Sequence, residues 1–253
     1  MKSTKDSRNS LIYGVHPVVE ALASGSSLDK IFIRRGNEHG RIGEVRKLAK
    51  EKGIPVQFVP EEKLRRLVKD PEARHQGIVA QVSNIPYQEL ETVILGLEEQ
   101  AQVPLFVLLD GVTDVRNFGA IARTAECMGA QAIIVPATGS APMNGDAVKT
   151  SAGALYHLPV CRVDHLVDAI LLLQAYGIRS VACTERAAGL VFEEDLTQPT
   201  CLLLGSEEKG ISDSLLKRCE AQAKVPLQGK VASLNVSVAA GMVLLEAMRQ
   251  RKG

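Results

Sequence analysis

The stretch Cys201-Leu-Leu-Leu-Gly205-Ser-Glu-Glu-Lys-Gly210-Ile-Ser212 decides how the second half of this chain is read. Its apolar opening, Cys201–Leu204, has the pattern of a strand buried on both faces, as in a parallel sheet covered by helices. Gly205 and Gly210 then open a backbone-rich turn, and Asp213–Cys219 reads as the helix that follows. The glycine spacing is that of a Walker A loop, but Ile211 stands where that motif needs its phosphate-binding lysine, and Lys209 precedes the second glycine. A nucleoside triphosphatase is thereby demoted, and no G-x-G-x-x-G follows a strand to suggest a dinucleotide site. Two readings remain: a turn that holds a small polar ligand through its N–H and C=O groups, or a plain strand-to-helix connection.

The same alternation extends outward on both sides. Leu105–Leu109, Ala132–Val135, Ser180–Cys183 and Lys224–Pro226 read as further strands. Phe118–Met128, Leu166–Ala175 and Val236–Arg251 read as helices. Short apolar strands alternating with helices predict a doubly covered parallel α/β sheet, with ligands at the carboxyl ends of its strands. Two more polar blocks fall at such ends: DGVTDVRNFGAIARTAECMGA (Asp110–Ala130) and VPLQGKVASLNVSVAAG (Val225–Gly241). In the first, Asn117 is placed to cap the helix beginning at Phe118. Arg123 points away from the Ile121, Ala125, Met128 stripe, within i, i+3 reach of Glu126. In the other, Ser233 or Asn235 is placed to cap the last helix. That helix carries Val238, Gly241, Met242, Leu245 and Met248 on one face, and Ala239, Ala240 and Gly241 make a small-residue patch suited to tight internal packing or to a subunit interface.

The first part of the chain differs in composition. Gly14–Ala23, Arg41–Lys52 and Glu61–Lys69 read as helices, and Lys30–Arg34, Val56–Val59 and Ile78–Val82 as strands, making a small α/β/α domain. We place it at residues 1–84, a connector with a helix over Glu89–Gln100 at 85–103, and the second domain at 104–253; 253 residues accommodate two domains. Residues 1–85 hold 16 Lys and Arg against 10 Asp and Glu, whereas residues 86–253 hold 14 against 19. Either an anionic partner docks on the first part or the difference is ordinary solvated surface. The segment MKSTKDSRNS lacks the apolar core of a secretory signal, and no apolar run is long enough to span a bilayer. The five cysteines lack any CxxC pair, which favours reduced, buried thiols in a cytoplasmic protein over zinc or disulfides. His16, His39, His75, His157 and His165 are scattered and form no hydrolase motif. Nine Phe and Tyr, with no Trp, leave little for base stacking, so RNA contact would rely on Arg, Lys and backbone.

The three blocks, in this order and spacing, resemble the three motifs of the SpoU (TrmH-like) RNA ribose 2′-O-methyltransferases. IYGVHPVVEAL (Ile12–Leu22) and HQGIVA (His75–Ala80) resemble the ribosomal-protein-like RNA-binding domain that precedes the catalytic domain in many members. The resemblance implies a SPOUT fold with a deep trefoil knot, a homodimer, and S-adenosyl-L-methionine as methyl donor without a metal. It implies methylation of a ribose 2′-hydroxyl in RNA, most like the branch acting on a guanosine of 23S ribosomal RNA. A transfer-RNA enzyme is the nearest competitor, and a non-catalytic RNA-binding or ribosome-assembly protein is the rival from another class. Asn117, Arg123, Glu207, Ser233 and Asn235 match the family's catalytic positions. Gly205, Val225 and Leu234 match positions whose main chain holds the cofactor, and Thr184 is a further cofactor neighbour. Because a guanidinium keeps its proton up to ~12 or beyond, Arg123 is expected to fix a phosphate and stabilise the developing alkoxide.

Overall fold

A computed structural model describes residues 11–37, 40–68, 70 and 73–252. The N-terminal decapeptide, His39 and Lys69 lie outside the described residues. The chain divides into two compact units: residues 1–86 with Pro142–Asp146, and residues 87–141 with 147–253.

The first unit runs β1 (Leu11–Tyr13), α1 (Val15–Ala23), β2 (Leu28–Arg34), α2 (Arg41–Glu51), β3 (Val56–Val59), α3 (Glu61–Val68) and β4 (Ile78–Val82). Its sheet has the order β1-β4-β2-β3, with only β2 and β3 parallel. Successive residues of β2 point to opposite faces. Ile31 and Ile33 therefore meet Val18 and Leu22 of α1 and Val45 and Ala49 of α2 on one side. Phe32 meets Leu64 of α3, with Val59 and Val79, on the other. The result is the expected α/β/α layering, with the three-residue β1 as an element that periodicity does not reveal.

The second unit contains β5 (Tyr87–Gln88), α4 (Leu90–Glu99), β6 (Leu105–Asp110), α5 (Val115–Cys127), β7 (Ala132–Pro136), α6 (Gly145–Thr150), β8 (Val160–Val163), α7 (Leu166–Ala175), β9 (Arg179–Cys183), β10 (Gly189–Leu190), β11 (Thr200–Gly205), α8 (Asp213–Leu216), β12 (Ala221–Lys224) and α9 (Val236–Lys252). Helix α6 begins in the segment that groups with the first unit. The eight strands are ordered β10-β12-β9-β11-β6-β7-β8-β5, and every pairing is parallel. Phe106, Leu108, Ile134 and Leu203 face Ile94 of α4, Ile170 of α7 and Leu215 of α8. On the opposite face α5 and α9 pack against each other and α9 lies on β11.

Some sequence-based element bounds differ from the structure. The strand expected at Lys224–Pro226 is β12, four residues that end at Lys224, so Val225 opens the loop beyond it. Helix α5 begins at Val115 rather than Phe118, because Asp114 is its cap: its Oδ1 accepts from Arg116 N at 2.8 Å and Asn117 N at 2.9 Å. Asn117 is thus a first-turn residue whose side chain is not spent on capping. On α9 the buried positions are Val236, Ala240, Val243, Leu244 and Ala247. Val238, Met242 and Leu245, on the face read from the sequence as apolar, stand 47, 45 and 51 % exposed.

Strand order reverses between β6 and β11. From β6 the chain proceeds through β7 to β8 on one side, while β11 and β9 lie on the other. The loops leaving such a pair diverge and open a crevice at their carboxyl ends. Gly205 of β11 is in register with Asp110 of β6, so the first and second blocks leave the sheet side by side.

Candidate active site

The crevice is shaped by backbone that only glycine permits. A Cβ on Gly205 would lie 2.0 Å from Gly210 C and 2.2 Å from Ile211 N, so the loop can double back only because residue 205 has none. Gly210 N donates to Ser206 O at 2.8 Å, and Lys209 N donates to Ser206 Oγ at 3.2 Å. Ser212 N donates to Asp110 Oδ2 at 2.8 Å, tying the far end of the loop to β6. This closed turn projects Glu207 toward the start of α9.

One amide joins all three blocks. Asn235 Oδ1 accepts from Ser237 N at 3.0 Å, Ser237 Oγ at 2.6 Å and Val238 N at 3.4 Å, capping α9. Its Nδ2 donates to Asn117 Oδ1 at 3.0 Å and to Glu207 Oε1 through a short hydrogen bond. Capping fixes the side chain's orientation, since Oδ1 toward the helix leaves Nδ2 pointing away from it. Both donor hydrogens are then used, one on each of the other two blocks.

Cavities lie beside this node. One of about 410 Å³ is lined by Asp114, Asn117, Gly139, Ser206, Glu207 and Val236, among others. A second, of about 240 Å³, is lined by Thr184, Gly205, Glu207, Ser233 and Leu234, and adjoins one of about 80 Å³ that adds Val225. Thr184, Gly205, Val225, Ser233 and Leu234, drawn from segments far apart in the chain, therefore share one recess. Its walls combine aliphatic surface at Leu204, Leu234, Val236 and Val243 with polar and charged residues Thr184, Glu185, Arg186 and Lys209, chemistry suited to an adenine ring and a charged amino-acid tail. Cys183 also lines it, and burial pushes its thiol up to about 12, so it is neutral and not a nucleophile. Burial likewise raises Cys161 to about 12 and Cys219 to about 11. Cys127, by contrast, is exposed, so the expectation of uniformly buried thiols does not hold for it. Among the described residues no group of His, Cys, Asp and Glu gathers as a metal site.

Arg123 stands apart. It is exposed on α5, beyond Asn117, and lines none of these cavities. Glu126, within i, i+3 reach, does not pair with it, and Arg123 makes no hydrogen bond or ion pair among the described residues. Two parts of the site escaped the sequence reading: Asp114, which orients the first turn of α5, and Ser206, which closes the glycine loop. The signal for Asp114 is a short polar acceptor immediately before a helical period. No comparable signal marks Ser206.

The sequence profile of the SpoU rRNA Methylase family matches residues 104–245, and that of the RNA 2′-O ribose methyltransferase substrate-binding domain matches residues 11–88. The chain belongs to the SpoU rRNA methylase family. It is 36 % identical over 240 residues to a putative TrmH family tRNA/rRNA methyltransferase of Bacillus subtilis, covering 95 % of each chain. It is also 36 % identical to the 23S rRNA (guanosine-2′-O-)-methyltransferase RlmB of Pseudomonas putida, covering 95 % of this chain and 96 % of that one. Among solved structures, the SpoU methyltransferase AviRb of Streptomyces viridochromogenes in complex with AdoMet superposes with a TM-score of 0.60 at 28 % identity, covering 99 % of this chain and 95 % of that one. The expected fold class, a parallel α/β methyltransferase domain behind a small substrate-binding domain, is the one observed. Among the described residues no helix is long and apolar enough to cross a membrane.

Proposed function

We propose that this chain transfers a methyl group from S-adenosylmethionine to a ribose 2′-hydroxyl of a guanosine in 23S ribosomal RNA. The observation that carries the reading is the Asn235 amide, which holds Asn117 and Glu207 together beside the recess lined by Thr184, Gly205 and Leu234. The cofactor supplies a methyl group already activated on a sulfonium, so the protein's task is to place the acceptor hydroxyl and manage its proton. Gly205, Val225 and Leu234 hold the cofactor in the recess, with Thr184 beside it. Asn117 and Ser233 orient the ribose by neutral hydrogen bonds, and Asn235 holds Asn117 and Glu207 in position for it. Glu207 uses one carboxylate oxygen on Asn235 and keeps the other for the acceptor side. Arg123, unengaged among the described residues, is available to fix an RNA phosphate and stabilise the alkoxide as the proton leaves.

The protein acts as a homodimer in the cytoplasm, where ribosomal RNA is found. Val238, Met242 and Leu245 form an exposed apolar stripe at i, i+4 and i+7 of α9, which a second copy would remove from water. The test is transfer of labelled methyl from S-adenosylmethionine to ribosomal RNA and, separately, to transfer RNA, followed by alkaline digestion. A 2′-O-methyl blocks cleavage at its own nucleotide, so label is expected in an alkali-resistant dinucleotide from ribosomal RNA. Label from transfer RNA alone would reassign the substrate, and no label from either would leave a non-catalytic RNA-binding protein.

A further inference from the structure

Away from the candidate active site, the first unit carries an open cleft of about 800 Å³ lined by Arg34, Asn37, Glu61, Arg65, Asp70 and the Arg74–Gly77 loop. The loop forming one wall is held at several points. Gln76 adopts φ 52°, a left-handed conformation that costs a non-glycine residue energy unless its surroundings impose it. They do: Asn37 Nδ2 donates to Gln76 O at 3.2 Å, and Val15 N donates to Gln76 Oε1 at 2.9 Å. Gly77 follows in the left-handed region at φ 78°, which favours glycine, and a Cβ there would lie 2.5 Å from Asn37 Nδ2 and displace that side chain. His75 accepts from Gly77 N at its Nδ1, 3.1 Å away, while its Nε2 faces Glu61 Oε1 at 3.3 Å.

Glu61 gathers two of the cationic groups of this cleft, Arg34 and Arg65. Its Oε2 lies 3.6 Å from Arg34 Nη1 and its Oε1 lies 3.6 Å from Arg65 Nε. Both separations exceed a hydrogen bond, so the guanidinium N–H groups are steered without being consumed. The Arg34 and Arg65 side chains are 50 and 75 % exposed. Arg74, on the preset loop, is exposed as well. Among the described residues Asp70 is the second carboxylate on the lining, and no Phe, Tyr or Trp among them lines it to stack on a base. Three exposed guanidinium groups around one cleft, in the part of the chain with the positive excess, offer the planar forks of donors that phosphate oxygens accept.

We infer that this cleft docks the backbone phosphates of the substrate RNA through Arg34, Arg65 and Arg74, with Glu61, held by His75, as the positioning residue for Arg34 and Arg65. The inference rests on the reading of RNA as substrate and adds where, and by which groups, that RNA is held. The cleft reads backbone shape rather than base sequence.

The test uses the full chain and a transcript of ribosomal RNA that wild type binds, with fluorescence anisotropy over a range of salt concentrations. Each of Arg34→Ala, Arg65→Ala and Arg74→Ala is expected to weaken binding and to lower the slope of log K against log salt by about 0.7 to 0.9. Binding of S-adenosylmethionine, measured by calorimetry, should stay at the wild-type value and report an intact fold. Methyl transfer should show a raised KM for RNA with kcat retained. Glu61→Gln separates positioning from simple screening: loss of positioning weakens RNA binding, whereas removal of a screening charge tightens it. Tighter binding by Glu61→Gln overturns the positioning role, and a triple arginine variant with the wild-type slope overturns the docking site. Wild type that binds RNA through these arginines but transfers no methyl overturns the methyltransferase reading and leaves the docking site standing.

Discussion

Asn235→Asp perturbs the site while keeping its shape. The new carboxylate can still cap α9 with the oxygen that accepts from Ser237 and Val238, so the helix start survives. The other oxygen replaces an amide that donated to Asn117 Oδ1 and Glu207 Oε1. Two hydrogen bonds of about 1 kcal/mol each are lost. An anion now faces the Glu207 carboxylate at roughly 3 Å, a repulsion of about 1 kcal/mol in water and about 5 kcal/mol at a protein surface. Asn235 and Glu207 are both exposed, which puts the repulsion near the lower figure. A total of about 3 kcal/mol corresponds to roughly a hundredfold loss in kcat/KM for methyl transfer at neutral pH. Activity should rise again as pH falls and the carboxyl pair takes up a proton. Glu207→Gln combined with Asn235→Asp should recover most of the loss, because the glutamine amide donates where the asparagine did. Steady-state transfer assays on the two single variants and the double variant measure this. A single Asn235→Asp variant with activity close to wild type, or a double variant no better than the worse single one, would refute the node as the element that aligns the site.

Gly205→Ala should abolish measurable S-adenosylmethionine binding by calorimetry, since its methyl group would overlap the backbone at Gly210 and Ile211. Asp114→Ala removes the cap of α5 and should lower stability by about 1 kcal/mol in urea denaturation. Arg251 donates to the carbonyls of Leu196, Val103, Pro104 and Gln198 at 2.7 to 2.9 Å. Arg251→Met should therefore cost about 2 to 4 kcal/mol by the same assay, as these acceptors lose a charged donor. Hydrogen bonds from Arg249, then Gln250, hold the Glu246 carboxyl down from 4.5 to about 2. Because the folded value lies below the unfolded one, the stabilisation is present above pH 4.5 and lost as pH falls through about 2. Acid titration of Glu246→Gln should lack that component, and an unchanged acid limb would count against the contact.

The central strands were legible because both their faces are buried, so they appear as apolar runs such as Leu105–Leu109 and Cys201–Leu204. β5 and β10 have two residues each, too few to show a period, and exist because a neighbouring strand offers its edge. β8, Val160–Val163, is missed for a related reason: it is four residues long and includes Arg162. The residues of the site were legible as a set of motifs, but not their partnerships. Asn117 has the composition of a helix cap, yet Asp114 takes that role and leaves the Asn117 side chain to Asn235. The apolar face of α9 that includes Met242 and Leu245 has the period of a core face, and burial goes to Val243 and Leu244 instead.

By itself, the sequence determined the alternation of strand and helix, the division of charge between the two parts, and three polar blocks at strand ends. These are local properties, set by side-chain period, turn chemistry and composition. The tertiary structure alone decided that Asn117, Glu207 and Asn235 share one hydrogen-bonded node while Arg123 does not join it. That outcome depends on the order of strands in the sheet and on the closure of the loop at Gly205. Both are settled by contacts between residues far apart in the chain, to which no local period responds.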